Sequence, residues 1–349
     1  MSSAPTLTLA GRPVGLDHAP LVIPEIGINH EGSVERALRM VDDAAAAGAE
    51  IVKFQCHVVD DEMIPAARSV IPGNADVSIY EIMARCAFDE AQERDMKAYV
   101  AERGLAYLST PFSRAAADRL ERLGVDAYKI GSGECNNLPL LDHVASFGKP
   151  MILSTGMNDL ASVLRSVDVL EKRGVPYAVL HCTSMYPTPY DKVRLGALTA
   201  MSEALPRAIL GLSCHSLGNW TCFGAVPLGA RILEKHFTSD KAWPGPDVPI
   251  SIDPRELAEL VTGSRAIWEA LGGRKEILPE EQVTIDFAYA CVVTTRAVAV
   301  GEAFTRENTW VKRPGTGDIL AADWEGRVLG RVATRALPAD VHVGWDDLG

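Results

Sequence analysis

The sequence has no run of about 20 consecutive apolar residues, the length a membrane-spanning helix needs. A soluble protein is therefore expected. The amino-terminal stretch MSSAPTLTLAGRPVG lacks a basic start followed by an apolar segment, so it does not read as a secretory signal, and a cytoplasmic location is the default expectation. The seven cysteines (56, 86, 135, 182, 214, 222 and 291) form no CxxC and no paired spacing. That argues against a disulfide framework and for free thiols in a reducing compartment. Basic charge is in deficit: 34 Lys and Arg face 46 Asp and Glu, a net charge of −12, which disfavours a nucleic-acid or anionic-membrane surface. Any anionic ligand must be met by a few local cations. GxGxxG is absent, so GSGE (131 to 134) is no dinucleotide fingerprint, and PGPD (244 to 247) reads simplest as a turn.

What the chain does have is alternation. At 349 residues it is long enough for one large domain and a small one. Short β-rich runs alternate with amphipathic ones from residue 21 to about 271: LVIPEIG (21–27), EIVKFQ (50–55), LAYLST (105–110), AYKIGSG (127–133), PMILSTG (150–156), YAVLHCT (177–183), AILGLSC (208–214) and RILEKHF (231–237). Between the first two, Val34, Leu38, Val41 and Ala45 share a helical face, with Ser33 placed to cap the start and Gly48 the end. Eight β/α units with continuously apolar strands point to a closed parallel (β/α)8 TIM barrel over residues 1–273, more than to an open sheet. A polar link, 274–285, follows. Residues 286–349 read as short strands and turns, a small mainly-β accessory domain.

In such a barrel the active site is built at the carboxyl ends of the strands, and here those ends are polar. In strand order they supply Glu25; Lys53 and Gln55; Thr110; Lys129, Ser132 and Glu134; Ser154 and Thr155; His181, Ser184 and Tyr186; Ser213 and His215; Lys235 and His236. Burying unpaired charge costs several kcal/mol, so polar endings on all eight strands imply a shared polar pocket. Two lysines among several hydroxyls suit a phosphate or carboxylate. His215 and His236, on neighbouring strands, could meet at one metal; two histidines leave a loosely held divalent ion, for which manganese fits the mixed nitrogen and oxygen shell better than magnesium. His181 reads as a core residue, and His30, His57 and His143 have no partner logic. A metal-dependent hydrolase on the same barrel is the rival reading, weakened by the absence of an HxH near the first strand.

The motifs EIGINHEG (25–32), VKFQ (52–55), KIGSGE (129–134), LSTGM (153–157), HCTSMYPTP (181–189), EKHFT (234–238), PGPD (244–247) and KRPGTG (312–317) together resemble the bacterial sialic acid synthases over nearly the whole chain. The resemblance implies that the last domain is an antifreeze-like (SAF) module, and that phosphoenolpyruvate condenses with an N-acylated mannosamine-type sugar, N-acetylmannosamine foremost, to give a nine-carbon 2-keto acid (N-acetylneuraminate) and phosphate. Legionaminate and pseudaminate synthases, which take 2,4-diacetamido-trideoxyhexoses, are near relatives. It implies that Lys53, Thr110, Lys129, Ser132, Ser154, Ser184 and Ser213 hold phosphoenolpyruvate, that Glu25 and Glu134 handle protons, and that Gln55, Tyr186, Asp247 and Arg313 contact the sugar. His215 and His236 would bind manganese, with magnesium or cobalt as alternatives. A domain-swapped homodimer is implied, with Arg313 serving a neighbour's barrel. A non-enzymatic carbohydrate- or ice-binding protein is suggested by the last module alone. Two residues depart from the family pattern: Cys214 stands where SDH would place an acid, expected to lie behind the metal ligand, and Ser184 stands where asparagine is common.

Overall fold

The computed structural model describes residues 5–349. Two strands not expected from the sequence come first: β1 (Thr6–Leu9) and β2 (Arg12–Gly15) form an antiparallel hairpin. Its turn, Ala10-Gly11, has positive φ at both residues, as tight two-residue hairpin turns require. The alternation in TLTL buries Leu7 and Leu9 and exposes both threonines.

Eight parallel strands then close into a barrel: β3 (Leu21–Gly27), β4 (Ile51–Cys56), β5 (Ala106–Pro111), β6 (Tyr128–Ile130), β7 (Met151–Ser154), β8 (Tyr177–Cys182), β9 (Ile209–Cys214) and β10 (Ile232–His236), with β10 pairing back onto β3. All eight coincide with the predicted runs, β4 and β5 extending one residue beyond them. β6 and β7 stop two to three residues early, because Ser132–Glu134 turns into a 3-10 helix and the chain leaves the ladder after Ser154. The closed sheet confirms the TIM barrel.

The strand period of two sorts the residues. One set, including Val52, Phe54, Leu153, Val179 and Leu233, faces outward under the helices. The other faces inward. At the amino-terminal end of the barrel the inward set is Leu21, Ile23, Ile51, Leu108, Ile152, Leu180, Ile209 and Ile232, packed with Leu7, Leu9 and Val14 of the hairpin, which thus plugs that end.

The first helix spans Val34–Ala46, with Ser33 Oγ accepting from the Arg36 N–H as its cap. Its buried stripe is Ala37, Met40, Val41 and Ala44. The expected stripe of Val34, Leu38, Val41 and Ala45 is therefore displaced by about one residue: only Val41 is shared, and the other three pack at the margin. Alanine and methionine fill the narrow gap over the strands, and the bulkier leucine sits at the side. All seven cysteines are buried free thiols. Among the described residues no helix is long and apolar enough to cross a membrane.

The chain divides into two compact units, one ending at Gly272 and one spanning Gly273–Gly349. In the second, the polar link contains a 3-10 turn at Pro279–Glu281 and runs into a short helix at Gln282–Ala288. The rest has one two-stranded sheet, β11 (Cys291–Thr294) with β12 (Thr309–Lys312), and isolated bridges around a core of Val292, Val298, Phe304, Ile319, Trp324 and Val343.

Candidate active site

Above the apolar layers the same inward positions turn polar and enclose a cavity of about 340 Å3 at the carboxyl ends of the strands. The cause is again the two-residue period: Ile23 is followed by Glu25, Ile51 by Lys53 and Gln55, Leu108 by Thr110, Ile152 by Ser154, and Ile232 by Glu234 and His236.

Its floor is a charge cluster. Lys53 Nζ lies 2.6 Å from Glu25 Oε2 and 3.9 Å from Glu234 Oε1 and donates to Thr110 Oγ1 at 3.2 Å. Lys129 Nζ lies 3.6 Å from the same Glu234 oxygen and donates to Ser154 Oγ at 2.7 Å and to the Ile130 carbonyl. Ser213 Oγ donates to Glu234 at 3.1 Å. Burial pushes the Glu25 carboxyl up, against the pull of Lys53. Burial also works against Lys53 and Glu234, but attraction prevails: Glu234 and Glu25 raise Lys53, and Lys129 and Lys53 lower Glu234; Lys129, facing burial and the neighbouring Lys53 charge, is lowered. The two lysines thus hold unequal proton affinities in one pocket.

Ser132 and Ser184 line the wall beside Gly156. The Gly156 N–H donates to Ser132 Oγ at 2.9 Å, and a Cβ on Gly156 would stand 2.1 Å from Ser184 Oγ and 2.8 Å from Ser132 Oγ. Only glycine leaves this polar wall open. Gly27, at the bulge between β3 and β4 and with φ +53, does the same for Glu25 and Gln55, whose side chains pass within 3.0 and 3.2 Å of where its Cβ would be.

His215 and His236 stand at the mouth with ring centroids 5.4 Å apart. Tyr186 stacks on His215 at 4.2 Å. His215 Nδ1 donates to the Thr183 carbonyl at 2.9 Å, which leaves Nε2 with its lone pair, the arrangement typical of a metal-binding imidazole. His236 Nδ1 is buried without a hydrogen-bond partner among the described residues and lies 3.7 Å from Asp247 Oδ2. Burial holds the His236 pKa well down, so its ring is neutral. Burial raises Asp247 to about 6. Among the described residues no group of three or more His, Cys, Asp or Glu has metal-holding geometry; the donors present at the mouth are the two imidazoles, with Asp247 beside His236.

Most of the residues named from the sequence meet here: Glu25, Lys53, Gln55, Thr110, Lys129 and Ser132 line one side of the cavity, and Ser154, Ser184, Tyr186, Ser213, His215, His236 and Asp247 the other. Glu134 does not line it; its carboxylate accepts from Asn137 Nδ2 at 2.5 Å in the 3-10 turn after β6. Arg313 belongs to the second unit, directly after β12. Lys235 corrects an expectation. It faces away from the barrel axis, where its Nζ meets the Ser216 carbonyl and, at 3.7 Å, Cys214 Sγ. Glu234 is the residue the sequence reading missed: with His236 pointing inward, the position two before it had to do so too. Cys214 is not behind His215 as expected. Its contacts are Lys235, Ser216 Oγ at 3.1 Å and Thr221 Oγ1 at 3.0 Å. His181 is a core residue, bonded to the Val193 carbonyl at 2.6 Å.

A parallel barrel whose strand ends converge on one polar cavity has the architecture of a TIM-barrel enzyme. The profile of the NeuB family matches residues 40–276, and that of the SAF domain residues 289–349. The chain is 36% identical over 337 residues to an N,N'-diacetyllegionaminic acid synthase of Campylobacter jejuni, covering 92% of this chain and 97% of that one. It is 32% identical over 306 residues to the N-acetylneuraminate-9-phosphate synthase of Homo sapiens, covering 86% and 85%. Among solved structures, an N-acetylneuraminic acid synthetase of Leptospira borgpetersenii in complex with citrate superposes with a TM-score of 0.74 at 30% identity, covering 81% of this chain and 95% of that one. The chain belongs to the NeuB family and carries the SAF domain. It is an enzyme, which sets aside the non-enzymatic reading, and the family sets aside the hydrolase.

Proposed function

We propose that this chain condenses phosphoenolpyruvate with an N-acylated mannosamine-type aldose and water to give a nine-carbon 2-keto sugar acid and phosphate. The observation that carries the reading is the pair of buried lysines, Lys53 and Lys129, set among hydroxyl groups in a cavity next to two imidazoles. Ammonium and hydroxyl groups are the donors that a phosphate or carboxylate takes.

Lys53 and Lys129, with Thr110, Ser132, Ser154, Ser184 and Ser213, hold the phosphate and carboxylate. Held there, the enol carbon faces carbon 1 of the open-chain sugar, which Gln55, Tyr186 and Asp247 position; the enol π pair forms the new carbon–carbon bond, the aldehyde π bond breaks, its oxygen takes a proton from solvent to become a hydroxyl, and positive charge is left at carbon 2 of the former phosphoenolpyruvate. Water adds to carbon 2 of the former phosphoenolpyruvate, Glu25 accepting its proton, and the tetrahedral carbon expels phosphate by C–O cleavage. Glu25 is assigned here in preference to Glu134 because its carboxyl lies inside the cavity. His215 and His236 would hold the metal, manganese before magnesium or cobalt, which when bound would supply Lewis-acid polarisation of the sugar aldehyde. The same proposal includes a homodimer in which Arg313 serves a neighbouring chain, and a cytoplasmic location.

For the sugar, N-acetylmannosamine is the first candidate. A 2,4-diacetamido-trideoxyhexose is the second, favoured by the 36% identity to a protein named for legionaminic acid synthesis. Phosphate release from phosphoenolpyruvate, measured with manganese across a panel of N-acylated aldoses and followed by mass analysis of the product, tests both. A nine-carbon keto acid is expected, and no phosphate release with any aldose would overturn the proposal.

A further inference from the structure

His57 follows the last residue of β4 and is 3% exposed, yet no step above uses it. Its ring stacks on Phe112, which lines the cavity, with centroids 4.6 Å apart and planes 16° from parallel. One ring nitrogen, Nδ1, pairs with Glu62 Oε2 at 2.8 Å, and the other, Nε2, lies 3.0 Å from Gln55 Oε1. Gln55 Nε2 in turn donates to Glu25 Oε1 at 2.9 Å, and the other Glu25 oxygen takes Lys53 at 2.6 Å. Five side chains therefore form one line from the one-turn helix Val59–Glu62 to the floor of the cavity.

The line has a direction because an amide has one donor end and one acceptor end. Gln55 sets its NH2 toward Glu25 Oε1 and its carbonyl toward His57 Nε2, so with the Glu62 carboxylate at Nδ1 both ring nitrogens face acceptors and donate to them. Without that donor the half-buried carbonyl would lose its partner, and the amide would be free to turn its oxygen toward Glu25, where two acceptors would repel. Glu62 fixes the ring from its far side, and the Phe112 face holds its plane.

We infer that His57, braced by Glu62, is a positioning residue that sets the direction of the Gln55 amide and through it the Glu25 carboxylate. The inference deepens the proposed function and rests on that reading for its kinetic arm. His57→Leu removes the donor and keeps a buried apolar side chain; it should raise KM for the sugar about tenfold, the loss of one buried hydrogen bond, and leave KM for phosphoenolpyruvate within about twofold. His57→Gln, which carries an N–H near the position of Nε2, should recover the sugar KM to within about threefold. Glu62→Gln should shift it in the same direction by less. Unchanged sugar kinetics in His57→Leu, an equal rise in both KM values, or a His57→Gln variant as impaired as His57→Leu would overturn the inference. Should His57→Leu not fold, Glu62→Ala gives the same comparison. A wild-type protein inactive on every aldose would defeat the functional reading alone. The inference is then decided by proton exchange at the Gln55 side-chain amide, followed by NMR and assigned with Gln55→Met: protection in the wild type that is lost in His57→Leu upholds it, and unchanged protection overturns it.

Discussion

The two ends of the barrel interior are built from the same eight strands and are equally shut off from solvent, yet one is hydrocarbon and the other is charge. At the amino-terminal end Leu21, Ile23, Ile51, Leu108, Ile152 and Ile232 pack on the hairpin. Two residues further along the same strands stand Glu25, Lys53, Thr110, Ser154 and Glu234. Apolar burial stabilises the first end directly. At the second, desolvation opposes every charge, and the charges are retained only because Lys53, Lys129, Glu25 and Glu234 answer one another. The comparison teaches that the lower half is where stability is made and the upper half where it is spent on binding.

The sharpest way to break that contrast is Lys53→Met, which leaves Glu25 without its closest cation. Loss of a buried partner of this kind is worth about 3 to 5 kcal/mol, so kcat/KM should fall by about 10²- to 10⁴-fold, and steady-state kinetics on both substrates would show it. A loss of less than tenfold would mean that the anion is held elsewhere. The counterpart at the other end, Ile152→Ala, should cost about 2 to 5 kcal/mol in denaturant unfolding while both KM values stay within about twofold. A large kinetic effect there would show that the two ends are not separable.

His30 probes charge buried outside the pocket. Its ring stacks on Phe88 at 4.3 Å and its Nδ1 accepts from the Gly32 N–H, and burial lowers its pKa from 6.5 to about 4. The unfolded chain takes up this proton below about pH 6.5 and the folded chain does not until about pH 4. Stability from this group is therefore complete above pH 6.5 and declines as the pH drops toward 4, by about 3 kcal/mol. His30→Gln should flatten the unfolding free energy across that window relative to wild type; an identical pH slope would remove His30 from the account.

Gly156→Ala sharpens the map of the polar wall. Its Cβ would press on Ser184 and Ser132, so affinity for phosphoenolpyruvate should weaken about tenfold, with the sugar KM nearly unchanged. Calorimetric titration of the anion reads this directly, and an effect confined to the sugar would reverse the two subsites. The smallest expected change is Cys214→Asp. It gives Lys235 a carboxylate, and because Cys214 touches Lys235 rather than the His215 ring, thermal stability should rise by about 1 kcal/mol or less with manganese affinity unaltered. Tighter manganese binding would restore Cys214 to a role behind the metal ligand.

Much of this was legible in one dimension. Alternation and length marked all eight strands, and the polar residue ending each run marked most of the cavity. Glu234 is legible as well, since counting back two from His236 reaches it and leaves Lys235 on the opposite face. The pairing of Lys235 with Cys214 was not legible, because it depends on the register that sets those residues opposite each other on β10 and β9. Nor was the line from Glu62 through His57 and Gln55 to Glu25, since His57 alone in a sequence looks like any core histidine.

By itself, then, the sequence determined the periods: which residues lie on strands, which on helices, and which side of each strand a residue takes once a neighbour's side is known, because backbone geometry repeats every two or 3.6 residues whatever the surroundings. Only the tertiary structure decided which charges meet. Glu25 shares Lys53 with Glu234, Glu134 bonds Asn137 outside the cavity, and the hairpin of residues 6–15 plugs the amino-terminal end of the barrel. Those choices depend on strand register and barrel closure, which bring residues far apart in the chain within a few ångströms, and electrostatic pairing is decided at that distance.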